Sequence, residues 1–180
     1  YLRQVISYDY SFGDGQFSST VNPNHAYANF GTFGVQLNVI TDSGCVDSIM
    51  QTIVIHEKPA ADFAVIDRCL NDSSQFNDQS TISSGAISNW NWAFGDGTAS
   101  SQVSPAKLYA QDGTYQVQLI VESDSACFDT ISKTHVIHDL PLVQFNLNNV
   151  CPGDLLTLQD ASSAQNPFSI NQWFWDVDTN

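Results

Sequence analysis

Residues 90–97 read Trp90-Asn-Trp-Ala-Phe-Gly-Asp-Gly97, and 82 positions earlier stands Tyr8-Asp-Tyr-Ser-Phe-Gly-Asp-Gly15. In both, aromatic residues alternate with small or polar ones and stop at an aspartate between two glycines. Strict alternation marks a half-buried strand. Gly-Asp-Gly is a turn that ends it, because glycine tolerates positive φ and the aspartate side chain can bond the backbone of its own turn. The offset then holds without a gap through Pro23/Pro105, Tyr27/Tyr109, Gly31/Gly113, Val35/Val117, Leu37/Leu119, Cys45/Cys127, Asp47/Asp129 and His56/His138. Residues 1–58 are identical to residues 83–140 at 25 positions. A fixed period of this size is the mark of a repeat architecture.

A further copy begins after Pro141. Phe63 maps to Phe145, Cys69 to Cys151 and Asp78 to Asp160, and one inserted residue brings Trp90 and Trp92 onto Trp173 and Trp175. The period divides the chain into the back part of a copy (residues 1–58), a complete copy (59–140) and the front part of a third (141–180). The joints Glu57-Lys58-Pro59 and Asp139-Leu140-Pro141 are short and leave little room to reorient, so a semi-rigid rod is expected.

Helical periodicity is absent and strand periodicity is plain. Tyr115, Val117, Leu119 and Val121 alternate with Gln116, Gln118 and Ile120. Turn signals fall at Gly95-Asp96-Gly97, Gln111-Asp112-Gly113 and Glu122-Ser123-Asp124-Ser125. Short strands at this spacing predict an all-β sandwich of about seven strands. In the complete copy they are expected near 61–66, 74–78, 89–94, 98–104, 114–122 and 127–137.

Composition narrows the function. Five Lys and Arg stand against 19 Asp and Glu, a formal net charge of -14. That excludes a phosphate-binding face and an anionic membrane surface. It permits calcium, which takes carboxylate oxygens, and it equally suits an acidic surface kept apart by self-repulsion. Apolar residues make up 42% of the chain, enough for a core. No apolar run is long enough to span a bilayer. The chain does not begin with Met, so the lack of a leader says nothing about export.

The ordered set Trp90-x-Trp92-x-Phe94-Gly95-Asp96-Gly97, Pro105-x-x-x-Tyr109 and Gly113-Thr-Tyr115-x-Val-x-Leu-x-Val121 resembles the polycystic kidney disease (PKD) domain. The first copy carries it as Phe12-Gly13-Asp14-Gly15, Asn22-Pro-x-His25-x-Tyr27 and Gly31-Thr-Phe-x-Val-x-Leu-x-Val39. The third reads Trp175-Asp-Val-Asp178 in place of Phe-Gly-Asp-Gly, so its turn is expected to differ. The resemblance implies an immunoglobulin-like sandwich in the extracellular part of a surface protein. The cysteine-containing version in series is similar to repeats of large secreted surface proteins of gliding Bacteroidota, where they serve as spacers or adhesive stalks.

Candidate sites follow from the motif. Asp112-Gly-Thr-Tyr115 is placed like a tyrosine corner, but Phe33 in the first copy lacks the hydroxyl, so packing is its main role and its hydrogen bond is optional. Asp14 with His25, and Asp96 with Lys107, are expected to meet at one end of the sandwich. A metal or catalytic Asp–His pair is the functional alternative there, and a protonated Lys107 cannot serve as a ligand. His56 and His138 stand at the joints as candidate metal ligands, or as packing residues where one His per joint is too few for a site. Phe17, Phe30 and Phe128 are candidates for stacking on sugars, and equally for the core. No motif for a nucleophile, a zinc protease, a phosphate loop or an EF-hand is present.

Cys45, Cys69, Cys127 and Cys151 suit no zinc spacing, and outside the cell they are expected to be oxidised. Cys69 with Cys127 is the obvious bridge. Topology places these two at opposite ends of a strand of about 33 Å, whereas a disulfide needs Cα atoms about 6 Å apart. The alternative joins Cys127 to the Cys69-type residue of the preceding copy. Both pairings stay open.

The leading expectation is therefore a non-catalytic structural segment of an adhesin, stalk or filament at the cell surface. Its partners are neighbouring repeats, with polysaccharide or other surface proteins as targets, and it uses no cofactor, nucleic acid or membrane insertion. The alternatives are a polysaccharide-binding or spacer module of a secreted hydrolase, and a linker stiffened by calcium.

Overall fold

The computed structural model describes residues 4–164 and 168–176. All fifteen regular elements among them are strands. No helix among the described residues is long and apolar enough to cross a membrane. Contacts divide the chain into two compact units. One comprises residues up to Ala61, Ser80–Asn89 and Ile120–Thr130, and the other Asp62–Gln79, Trp90–Leu119 and the chain from Ile131 onward.

The first copy supplies β1 (Val5–Ser11), β2 (Phe17–Ser18), β3 (Gly31–Thr41) and β4 (Val46–Ile55), which form an antiparallel sheet in the order β2-β1-β3-β4. β3 and β4 pair in unbroken register from Gly31↔Ile55 to Ile40↔Val46. Asp42-Ser-Gly44 closes this hairpin, with Gly44 at φ 75° and its N–H on the Thr41 carbonyl at 2.9 Å.

The complete copy contains β5 (Phe63–Ala64), β6 (Arg68–Cys69), β7 (Ser73–Gln75), β8 (Asn77–Asp78), β9 (Ile87–Ala93), β10 (Ala99–Ser100), β11 (Ala106–Leu108), β12 (Gly113–Ser123) and β13 (Phe128–His138). One sheet runs β10-β9-β12-β13-β6, and the opposing layer is made of the short pairs β5–β8 and β7–β11. Counting β5 with β6 and β7 with β8 as single interrupted strands gives the seven-stranded sandwich expected from the period. Its core is aromatic. Phe63, Phe76, Trp92, Phe94 and Tyr109 are buried with Val117, Leu119, Val121 and Ile137. Trp92 lies 5.1 Å from Phe63 and 5.8 Å from Phe76 between ring centroids, as expected of edge and tilted aromatic packing.

Three strand expectations are corrected. The run expected at 61–66 breaks after Ala64, and β6 joins the other sheet, parallel to β13 (Ile137↔Arg68, His138↔Cys69). Asp67 makes the change possible by accepting the Val136 N–H at 3.0 Å. The run expected at 74–78 is interrupted at Phe76, whose N–H bonds the Pro105 carbonyl at 2.9 Å. The strand expected over 98–104 shrinks to Ala99–Ser100, while β11 appears where none was expected, pairing Lys107 with Ser74.

The third copy adds β14 (Phe145–Leu147) and β15 (Leu158–Asp160), paired Phe145↔Asp160. This repeats the Phe63↔Asp78 register of β5 and β8. Trp90 donates its indole N–H to Asp78 at 2.9 Å, and Trp173 donates to Asp160 at the same distance. The expected difference at Asp178 lies outside the described residues.

Candidate functional site

The repeated motif builds one compact structure in each copy. Strand β9 ends at Ala93, Phe94 follows it, and Gly95 and Gly97 take φ of 80° and 86°. The Asp96 carboxylate accepts the N–H of Thr98 at 3.0 Å and its hydroxyl at 2.6 Å. In the first copy Gly13 and Gly15 take 82° and 89°, and Asp14 accepts the Gln16 N–H at 3.0 Å. The first glycine is required twice over. A Cβ on Gly95 would stand 2.7 Å from the Gln116 carbonyl oxygen, and one on Gly13 2.7 Å from the Gly34 carbonyl oxygen.

The chain then returns to the same turn. The hydroxyl of Tyr109 donates to the Phe94 carbonyl at 3.0 Å, and that of Tyr27 to the Phe12 carbonyl at 3.0 Å. Burial, with the Asp96 charge adding to it, raises the Tyr109 hydroxyl well above its ordinary range, which keeps it a donor. Two residues before each tyrosine stands a cation-forming side chain. His25 Nε2 lies 2.7 Å from Asp14, and Lys107 Nζ 2.8 Å from Asp96. Burial by itself would raise the Asp96 carboxyl. Its hydrogen bonds from Lys107 and Thr98 outweigh that and bring it down to about 2. Asp14 is lowered by the same balance, with burial opposed by the bonds from His25 and Gln16. His25 stacks flat on Phe12 at 4.1 Å between ring centroids.

Asp14 and His25 thus meet as the sequence suggested, and in each copy the aspartate is bonded to a basic side chain that braces the turn. The His in one copy and Lys in the other fill the same place. Among the described residues no three His, Cys, Asp or Glu side chains converge on a metal-sized site. Tyr115 does form its corner bond, donating to the Gln111 carbonyl at 2.9 Å. Phe17, Phe30 and Phe128 are all exposed and outside the core. His56 is exposed, whereas His138 is half-buried with the edge of its ring against Phe168 at 4.7 Å.

No disulfide joins the four cysteines, and Cys45, Cys69 and Cys151 are exposed. Cys69 sits opposite His138 at the last residue of β13, while Cys127 precedes its first residue. An 11-residue strand lies between them, several times the reach of a disulfide.

Sequence reasoning missed a buried polar pair. Ser74 Oγ and His135 Nε2 are 2.7 Å apart with both side chains fully enclosed. Burial lowers the His135 imidazole, although the Asp67 carboxylate 3.5 Å from Nδ1 pulls the other way. Its place on the inward face of β13 was readable from alternation, but its partner depended on the unexpected course of β7.

The fold and the turn motif together define an immunoglobulin-like β-sandwich repeat whose shared residues fasten one end of the sandwich. The chain belongs to the PKD domain family, which it matches over residues 3–56 and 56–138. Pre-pro-metalloprotease PrtV of Vibrio cholerae serotype O1 (strain M66-2) is 29% identical over 133 residues, covering 71% of this chain and 14% of that protein. Collagenase ColQ1 of Bacillus cereus (strain Q1) is 34% identical over 73 residues, covering 41% of this chain and 8% of that protein. The chain spans only a small part of these relatives. The solved PKD1 domain of Vibrio anguillarum Epp aligns at 27% identity and a TM-score of 0.44, covering 47% of this chain and 98% of that one.

Proposed function

We propose that the chain is a non-catalytic structural segment of an extended adhesin, stalk or filament outside the cell, of the cysteine-containing kind that serves gliding Bacteroidota. The observation that carries this reading is where the repeated residues point. Asp14, Tyr27, Asp96 and Tyr109 bond the turn or strand end of their own copy, so the shared chemistry holds the sandwich together.

The pairing of β6 with β13 suits a segment under tension. Pulling on the two ends of a copy loads parallel neighbours in shear, so their hydrogen bonds resist together rather than opening one by one. Leu70 N–H to the His138 carbonyl at 2.7 Å and Val136 N–H to Asp67 at 3.0 Å reinforce that edge. Cysteines carry the same load between copies, Cys127 pairing with the Cys69-type residue of the preceding repeat. Peptide mapping of non-reduced parent protein tests this: bridges between successive copies are expected, and a Cys69–Cys127 bridge contradicts it.

The segment needs no calcium, so a chelator leaves its melting midpoint unchanged, and a drop of several degrees contradicts that. The functional test varies copy number in the parent protein. Removing or duplicating the stretch 59–140 should change the reach of the binding end and leave its affinity alone. The similarity to a metalloprotease and a collagenase favours a second reading, a polysaccharide-binding or spacer module beside a hydrolase domain. Retention of the isolated chain on a polysaccharide affinity gel would support that reading over the first.

A further inference from the structure

The stretch joining the first copy to the complete one is short, and little of it can turn. β4 ends at Ile55. From Ala60 onward the chain is tied into the complete copy, where Ala60 and Thr81 exchange both backbone hydrogen bonds at 2.8 and 2.9 Å. Residues 56–59 lie between. Pro59 is buried and its ring fixes φ, and a proline also holds the residue before it, here Lys58, in extended conformations. That leaves His56 and Glu57 to set the joint.

Glu57 is held from across the joint, by the loop between β8 and β9. Its carboxylate accepts the Ser83 N–H at 3.1 Å and the Ser84 N–H at 2.6 Å, and the Ser83 hydroxyl lies 2.7 and 2.8 Å from its two oxygens. Two of these three donors are backbone groups, so apart from Glu57 only one side chain must be ordered to make the charge-assisted bonds. The receiving loop is shaped by its own copy. Ala60 fixes it at Thr81, and at the other end the Ala86 carbonyl accepts the Asp124 N–H at 2.9 Å. Between them Gly85 turns at φ 93°, where a Cβ would stand 2.9 Å from the Asp124 carboxylate.

We propose that residues 81–84 are the seat on which the preceding copy docks, and that the Glu57 carboxylate is the group that locks this joint. The proposal rests on the reading of the chain as an extended segment, and it names the contact that keeps the segment stiff. Part of the arrangement recurs at the next joint. Leu142 and Ser163 exchange the same two backbone bonds, at 2.8 and 2.9 Å. An acid recurs as well, because Asp139 stands 82 positions after Glu57. Asp139 is one methylene shorter and accepts the N–H of its own neighbour Leu140 at 2.8 Å. The counterparts of Ser83 and Ser84 there lie outside the described residues. The length of the acid thus decides whether its carboxylate crosses the joint or turns back on the linker.

Nuclear magnetic resonance on the 180-residue chain and two variants tests this. Residual dipolar couplings read whether β1, β3 and β4 align as one body with β9, β12 and β13, and hydrogen exchange reads the Ser83 and Ser84 amides. The unaltered chain should fit a single alignment. Glu57→Ala removes the acceptor, and Glu57→Asp keeps the charge but shortens its reach. Each should split the alignment in two and speed exchange at Ser83 and Ser84 by about tenfold. Glu57 lies outside both cores, so the couplings within each copy should stay as they were. Variants that keep a single alignment, or whose Ser83 and Ser84 amides exchange no faster, would overturn the lock and leave the stalk reading standing. An unaltered chain whose two copies align separately would overturn the lock and remove the stiffness of the stalk with it.

Discussion

Gly95 shows how much a single position decides. Its φ of 80° favours glycine, and the Gln116 carbonyl would meet any Cβ at 2.7 Å. Gly95→Ala should therefore cost about 2–3 kcal/mol, the range of a strained backbone position with a steric clash. Urea unfolding followed by tryptophan fluorescence measures it. A methyl added at Gly97 would meet nothing within 4 Å, so the same substitution there costs only its positive φ. Asp96 makes the acid response of this turn predictable. Its carboxyl is held at about 2 in the fold against 3.8 ordinarily. The unfolded chain takes up the proton first, so the stabilisation is complete above about pH 4 and is lost as pH falls toward about 2. Asp96→Asn should cost about 1–2 kcal/mol at neutral pH, and the difference from the unaltered chain should vanish near about pH 2. A gap in unfolding free energy that stays constant over that range would contradict the assignment.

At the scale of elements, the long strands were legible because alternation and turn chemistry agreed. Val117, Leu119 and Val121 point inward as their spacing required, and Gly-Asp-Gly ends β9 where expected. The short strands were not legible. β6 owes its place to pairing with β13 and to the Val136 N–H bonded by Asp67, and β11 to pairing with β7, and neither leaves a pattern in two or three residues of sequence. The Ser74–His135 pair was hidden for the same reason. It gives a sharp test of matched substitution. Ser74→Leu alone should cost about 2–3 kcal/mol, because it removes the partner of a buried imidazole. Adding His135→Ile should recover most of that loss, because an apolar pair then replaces the hydrogen-bonded one. Since burial lowers His135, the unaltered sandwich should also lose stability as pH falls below 6.5, and the double variant should not. Urea titrations at neutral pH and at about pH 5 read both effects, and a double variant no more stable than Ser74→Leu would contradict them.

At the scale of the whole molecule, the 82-residue period was enough to reveal the tandem organisation, while the cysteines and the edge of β13 needed the fold. The functional reading turns on a repeat that carries tension, and pulling on the chain puts that to the proof. In single-molecule force spectroscopy, with handles at the two ends, the complete copy should resist to a distinct force peak. It should then release about 25 nm of chain, the extended length of its 82 residues less the folded span. Asp67→Ala, which removes the brace between β6 and β13, should lower that peak and leave the released length unchanged. Extension without a peak, or a peak indifferent to Asp67, would contradict the claim.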